Sequence, residues 1–326
     1  MQNTIRKIDG ASCAVLGGLG FIGSALVDYL IEEKQCEVLV IDNLLVGKEK
    51  FKHPKAKFVW HDITHSEERL KDLLLEHKVE YVFNYVAIPY IPISFQRPLH
   101  VFDSNARGAL MAMNASQEAG VKAFLQVSSA EIYGQVDGKI KETDPAHPHS
   151  TYGASKLAID TLIQARWKEA KTPAIALRQF NVVGPRETHE YIVPVIIDQI
   201  QKNIAPEVTV KLGNNSFRDF QYVGDAVKMA VELLEKGDFG EVYNMGSEDG
   251  VQMYDLAVTI GDIMGVKVTV ETDQARVRPW EIWHLQSDNS KLYSVIEGRS
   301  TTTLREALEK TISYYQENGC QWDYSL

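Results

Sequence analysis

No segment narrows the possibilities further than Leu16-Gly17-Gly18-Leu19-Gly20-Phe21-Ile22-Gly23. It joins a short apolar run, residues 13–16, to residues 21–31, where apolar side chains recur at three- and four-residue spacing. The first pattern predicts a buried strand and the second a helix. Gly17, Gly20 and Gly23 punctuate the joint as G-x-x-G-x-x-G. Glycines permit a tight turn there and let backbone amides reach a pyrophosphate, which a helix N-terminus favours electrostatically. On its own such a loop is weak evidence, and the chain downstream of it decides its meaning.

Downstream the alternation repeats. Residues 37–41, 57–60, 81–85 and 122–127 are further strand candidates, with helical patterns near 65–77 and 99–119 between them. Continuous apolar strands separated by helices predict right-handed βαβ units and a parallel sheet covered on both faces. Such a sheet takes its ligands at the carboxyl ends of its strands. After residues 173–183 the pattern becomes mixed: helices at 191–202, 225–235, 253–264 and 302–318, strands at 208–212 and 266–271, and no internal repeat.

The strand ends carry chemistry. The second ends at Asp42, 19 residues after Gly23, where a carboxylate accepts both ribose hydroxyls of an adenosine and repels a 2′-phosphate, so NAD is the expected cofactor rather than NADP. The third ends in His61-Asp62-Ile63, suited to framing an adenine edge. The strand at 122–127 runs into Ser128-Ser129-Ala130-Glu131, and Tyr152 and Lys156 come later as Y-x-x-x-K. On a helix those two share a face, so the ammonium sits near the phenol. A nearby cation lowers a phenol's pKa, which makes Tyr152 a candidate base for a substrate hydroxyl, with Ser129 hydrogen-bonded at the same oxygen. Y-x-x-x-K alone is common on solvated helix faces; the ordered set of glycine loop, strand-end Asp, strand-end Ser and Tyr/Lys helix is not.

Composition excludes several other classes. Hydrophobic residues at 44% and charged residues at 24% are ordinary for a folded chain. A net charge of −10 disfavours nucleic-acid binding. Cys13, Cys36 and Cys320 are scattered without C-x-x-C pairs or a His cluster, so neither a metal site nor a disulfide framework is expected. No window approaches a membrane span and residues 1–10 lack an apolar leader core; a cytoplasmic protein is expected.

The whole set, GGLGFIG, Asp42-Asn43, HDI at 61–63, SSAEIYG at 128–134, YGASK at 152–156, LRQFNVVGP at 177–185, RDFQYVGD at 218–225 and Val277-Arg278-Pro279, resembles the extended short-chain dehydrogenases that epimerise, dehydrate or decarboxylate nucleotide sugars. The resemblance implies a Rossmann-type doubly wound parallel sheet, with a smaller mixed α/β C-terminal substrate domain. Residues 1–182, with a returning segment near 218–248, would bind NAD, and residues 183–326 mainly the substrate. Cofactor contacts are implied for Gly17, Gly20, Phe21, Ile22, Asp42, Asn43, Asp62, Ile63, Val86, Ala87, Tyr152 and Lys156. Substrate contacts are implied for Ser94, Asn181, Arg218 and Arg278, the arginines and Asn181 at the diphosphate of a nucleotide-diphosphate sugar. Helices near 99–119 and 152–168 would pair across a homodimer, where Met111, Met113 and Trp167 could lie. Leu16, Val86-Ala87 and Trp280 depart from the usual pattern, and Trp280 is expected to reshape the pocket.

Members of this family oxidise sugar carbon 4, which acidifies the proton on carbon 5. Glu131, two positions after Ser129, then matters most: the S-A-E run resembles the Ser/Thr-x-Glu signature of nucleotide-sugar dehydratases, where the Glu is the base for carbon 5. Ala130 stands where one dehydratase class has an Asp, so Glu131, a water or Tyr152 would have to protonate the departing hydroxyl. A 4,6-dehydratase is the reading favoured. A 4-epimerase is the alternative, followed by decarboxylase, reductase and 4-dehydrogenase, and a non-catalytic NAD sensor of the same fold is the alternative outside enzymes.

Overall fold

The computed structural model describes residues 5–203, 205–277 and 280–319. Its centre is a seven-stranded sheet in the order Val242–Met245, Ala174–Gln179, Ala123–Ser129, Tyr81–Asn84, Ser12–Leu16, Glu37–Asp42 and Lys57–Trp60. Every neighbouring pair in it is parallel. The doubly wound sheet expected from the sequence is therefore present. Strand Ser12–Leu16 lies between Glu37–Asp42 and Tyr81–Asn84, so the order reverses there and a crevice opens above its carboxyl end.

Both sheet faces are covered, which is why the strands read as unbroken apolar runs. One core joins Val15, Val40 and Phe83 to Leu26, Leu30, Val227 and Leu234, from the helices Phe21–Glu32 and Val223–Lys236. The other joins Ala14, Leu39 and Val82 to Leu70, Leu74, Met113 and Ile159, from helices on the opposite face. A third core, around Ile196, Val210, Leu256 and Leu308, belongs to the C-terminal helices and to the parallel pair Glu207–Leu212 and Lys267–Thr272.

The helix expected at 99–119 is interrupted. It runs as Pro98–Phe102, a π turn at Asp103–Arg107, and Gly108–Glu118. Asn105 sits in the turn, where its side chain accepts from Ile88 N at 2.8 Å and donates to Ser155 Oγ at 3.2 Å. The extra residue in the turn re-aims this buried amide, tying the segment after the fourth strand to the helix that carries Tyr152 and Lys156. Met113 is core, and Trp167 is half-buried and packs on Phe239 at 5.8 Å. No described helix is long and apolar enough to cross a membrane.

Candidate active site

Strand ends and helix starts converge on one cleft of about 270 Å³. The glycine loop forms one end. Gly17 is in the left-handed region at φ +74, and a Cβ on Gly23 would lie 2.2 Å from Gly17 O; the helix can begin this close to the strand only without side chains. No side chain caps Gly20 at the start of helix Phe21–Glu32, so the first helical amides, at Phe21 and Ile22, are offered to the cleft they line.

Asp42 lies beneath that loop, 5% exposed. Its Oδ2 accepts from Leu19 N at 3.0 Å and its Oδ1 from Leu44 N at 2.8 Å. Burial raises its pKa and the amides oppose that. Each oxygen keeps acceptor capacity for a ribose hydroxyl, so the residues present fit a dinucleotide. Asn43, Ile63, Val86 and Ala87 line the same cleft. Asp62 does not; its carboxylate accepts from Asn43 Nδ2 at 2.9 Å and from Thr64 N and Oγ1 at 2.8 and 2.6 Å, which holds Asn43 in place.

Strand Ala123–Ser129 delivers Ser129 to the other end. Its Oγ accepts from Glu131 N at 3.2 Å, capping the short turn Ala130–Ile132. Helix Thr151–Ala170 starts beside it, capped by Ser150 Oγ, which accepts from Gly153 N at 3.0 Å. A Cβ on Gly153 would lie 2.9 Å from Glu131 O, so this glycine allows the helix to touch the turn that carries Glu131. Ser129, Glu131, Tyr152 and Lys156 all line the cleft.

The electrostatics of this group come from burial. Burial pushes the Tyr152 phenol up to about 12; the Ser129 hydroxyl, donating to its oxygen, holds it back, and the charge of Glu131 pushes it further. Lys156 stands 5.8 Å from the Tyr152 ring centre and donates to Val127 O at 3.0 Å. Burial lowers its pKa to about 8, with Asp160 pulling it back up. The protein alone thus leaves Tyr152 protonated, and further positive charge near the phenol is what would make it a base.

The expected substrate residues divide. Asn181 lines the cleft, and its Oδ1 is buried with no partner among the described residues. Ser94 is 1% exposed with an unpartnered hydroxyl but does not line the cleft. Arg218 is buried, with Nη2 on Glu281 Oε1 at 2.8 Å and Nη1 donating to Phe217 O at 3.0 Å, and it is likewise not in the lining. Arg278 lies outside the described residues. Trp280 is 71% exposed, 6.4 Å from the His149 ring, and does not line the cleft. Sequence reasoning passed over Gln179, Glu187 and Thr188, all lining residues; nothing in local spacing marks them. Among the described residues no group of three or more His, Cys, Asp or Glu could hold a metal ion.

The chain is similar to known proteins over most of its length. Residues 13–246 match the model of the NAD dependent epimerase/dehydratase family. A dTDP-D-glucose 4,6-dehydratase from Mus musculus is 29% identical over 323 residues, 94% of this chain and 89% of that protein. A UDP-glucose 4-epimerase from Streptococcus mutans is 30% identical over 279 residues, 79% of this chain and 83% of that protein. The crystal structure of UDP-glucose 4-epimerase from Thermotoga maritima with UDP-glucose superposes with a TM-score of 0.87 at 29% identity, covering 94% of this chain and 99% of that one.

Proposed function

The chain belongs to the NAD-dependent epimerase/dehydratase family, and from that premise we propose that it is a nucleotide-sugar 4,6-dehydratase working through a 4-keto sugar. The observation that carries this reading is Glu131: it lines the cleft and its charge bears on the Tyr152 phenol.

NAD+, when bound, supplies the hydride acceptor. Gly17, Gly20, Phe21, Ile22, Asp42, Asn43, Ile63, Val86 and Ala87 would hold it, with Lys156 at its nicotinamide end. Tyr152 takes the proton from the hydroxyl on sugar carbon 4, with Ser129 hydrogen-bonded at the same oxygen. Once carbon 4 is a ketone, Glu131 takes the proton from carbon 5. With Ala130 beside it offering no acid, Glu131 or Tyr152 returns a proton to the hydroxyl leaving carbon 6; the hydride taken from carbon 4 would then go back to carbon 6 and a solvent-derived proton to carbon 5, so that the sum is loss of one water. Asn181 is assigned to the nucleotide sugar, and residues 183–326, apart from the returning segment 218–248, to the substrate side. The dimer is proposed to form through the surface around Leu99.

A 4-epimerase is the second reading, and Ala130 favours it. One experiment separates the two: mass spectrometry of products from a panel of UDP- and dTDP-hexoses incubated in heavy water. Loss of one water with one solvent deuterium at carbon 5 is expected, and Glu131→Gln should lower that turnover by about 10²–10⁴-fold while retaining NAD. An unchanged mass with a new 4-epimer would overturn the dehydratase reading and leave Glu131 a structural acid.

A further inference from the structure

Five polar atoms belonging to cleft-lining residues have no hydrogen-bond partner among the described residues: Tyr85 Oη, Gln179 Oε1, Asn181 Oδ1, Glu187 Oε2 and Thr188 Oγ1. A polar atom buried without a partner is destabilising, so five around one cavity call for a ligand. Gln179, Glu187 and Thr188 are 7%, 2% and 7% exposed. These are built positions rather than surface side chains.

Their orientations are fixed by what surrounds them. Gln179 Nε2 donates to Gln221 Oε1 and to Met245 O, both at 3.1 Å. That spends the amide's nitrogen and leaves its oxygen for something else. Glu187 is pinned through its backbone, its N donating to Gly184 O at 3.3 Å and its O accepting from the Tyr315 hydroxyl. Arg186, the adjacent cation, has its Nη1 2.8 Å from Asp28 Oδ2. Burial therefore raises the Glu187 carboxyl well above the usual carboxylate range, opposed only by the Gly184 backbone. A neutral carboxylic acid has one O–H to donate, Thr188 can donate or accept, and Gln179 Oε1 accepts.

A phosphate has oxygens but few protons to give, and would leave Gln179 Oε1 unsatisfied. A hydroxyl both donates and accepts, so a ring bearing neighbouring hydroxyls satisfies all three groups. We propose that Glu187, Thr188 and Gln179 form a subsite for the hydroxyl groups of a sugar ring bound in the cleft. Two rings carry that chemistry, the hexose of a nucleotide sugar and a ribose of the dinucleotide; the first of these rests on the functional reading above.

Isothermal titration of wild type, Glu187→Ala, Glu187→Gln and Thr188→Val tests this. The probes are NAD+ on the cofactor-free protein, then dTDP-glucose and UDP-glucose on the NAD-loaded protein, with dTDP and UDP as controls lacking the hexose. Glu187→Ala and Thr188→Val should weaken one probe by about tenfold, and Glu187→Gln, neutral and of the same shape, should stay within about threefold. A loss for NAD+ assigns the ribose; a loss for the nucleotide sugars that the bare nucleotides do not share assigns the hexose. Should Glu187→Ala fail to fold, Thr188→Val carries the same comparison. Affinities unchanged for every probe overturn the subsite, and so does a tenfold loss in Glu187→Gln. If neither nucleotide sugar binds wild type, the functional reading falls while the NAD+ titration still decides the subsite.

Discussion

Lys156 is placed where its charge is costly, 2% exposed and with one carbonyl, Val127 O, as its acceptor at 3.0 Å. What offsets the cost is Asp160, one turn further along the same helix. Arg178 holds that carboxylate from the neighbouring strand, Nε to Oδ2 at 2.8 Å, and Arg178 Nη1 donates to the Tyr133 hydroxyl at 2.6 Å. The other groups facing this site are Tyr152 on the same helix and Glu131 on the adjoining turn, whose charge bears on Tyr152. A lysine lowered to about 8 is ammonium below that pH and loses its proton above it. If the ammonium supports the Tyr152 base, kcat/KM should fall as pH rises through about 8. Asp160→Asn should move that limb to lower pH, and should also destabilise the fold by about 3–5 kcal/mol by stranding Arg178. A pH–rate profile together with a melting curve reads both, and an alkaline limb that stays put in Asp160→Asn would remove Asp160 from this role. At the same site, Tyr152→Phe should cut turnover by about 10²–10⁴-fold while the protein keeps its NAD; normal turnover in that variant would end the assignment of Tyr152 as base.

Elements bring these residues together by close approach, and Gly153 is where this is most demanding. A Cβ there meets Glu131 O at 2.9 Å and Pro148 Cβ at 3.0 Å, and both belong to chain with little freedom to retreat. Gly153→Ala should push the Glu131 turn off the Tyr152 helix, lowering turnover by about tenfold or more with little change in NAD affinity, whereas Gly23→Ala, at 2.2 Å from Gly17 O, should weaken NAD itself. Titration with NAD+ beside a turnover assay separates the two; equal loss of NAD affinity in both would show that Gly153 acts only through stability. Features of this kind were legible in the sequence because they are local. The glycine loop, the acid at the end of Glu37–Asp42 and the Tyr152/Lys156 helix are each written in a few consecutive residues. Less legible were the short strands Phe217–Tyr222 and His284–Ser287, which pair with each other and bury Asp219, Gln221 and Ser287 rather than an alternating apolar set. The family resemblance implies a diphosphate contact for Arg218, and no local spacing marks its ion pair with Glu281, 63 residues away. No local spacing marks Glu187 either, whose backbone carbonyl accepts from the Tyr315 hydroxyl, 128 residues on.

At the scale of the whole molecule, the surface raises a question the monomer does not answer. Phe95, Leu99 and Phe102 are 44%, 73% and 41% exposed, within two short helices, Ile91–Gln96 and Pro98–Phe102. Single exposed apolar side chains are ordinary, but three in so short a stretch are what the proposed dimer would cover. A second copy is the simplest occupant, since a two-fold axis lets one patch meet itself. The chain should therefore sediment as a dimer at micromolar concentration, and Leu99→Glu should shift it toward monomer. Helix Pro98–Phe102 packs against Thr151–Ala170, the helix carrying Tyr152 and Lys156, so whatever covers the patch also braces the catalytic pair. Specific activity should then fall on dilution through the dimer dissociation constant, and Leu99→Glu should reproduce the fall at concentrations where wild type is fully active. A wild-type monomer at micromolar concentration would remove the dimer. A dimer whose activity does not change on dissociation would keep the interface but deny it any hold on Tyr152, leaving the contacts of Asn105 with Ile88 and Ser155 as the brace within one chain.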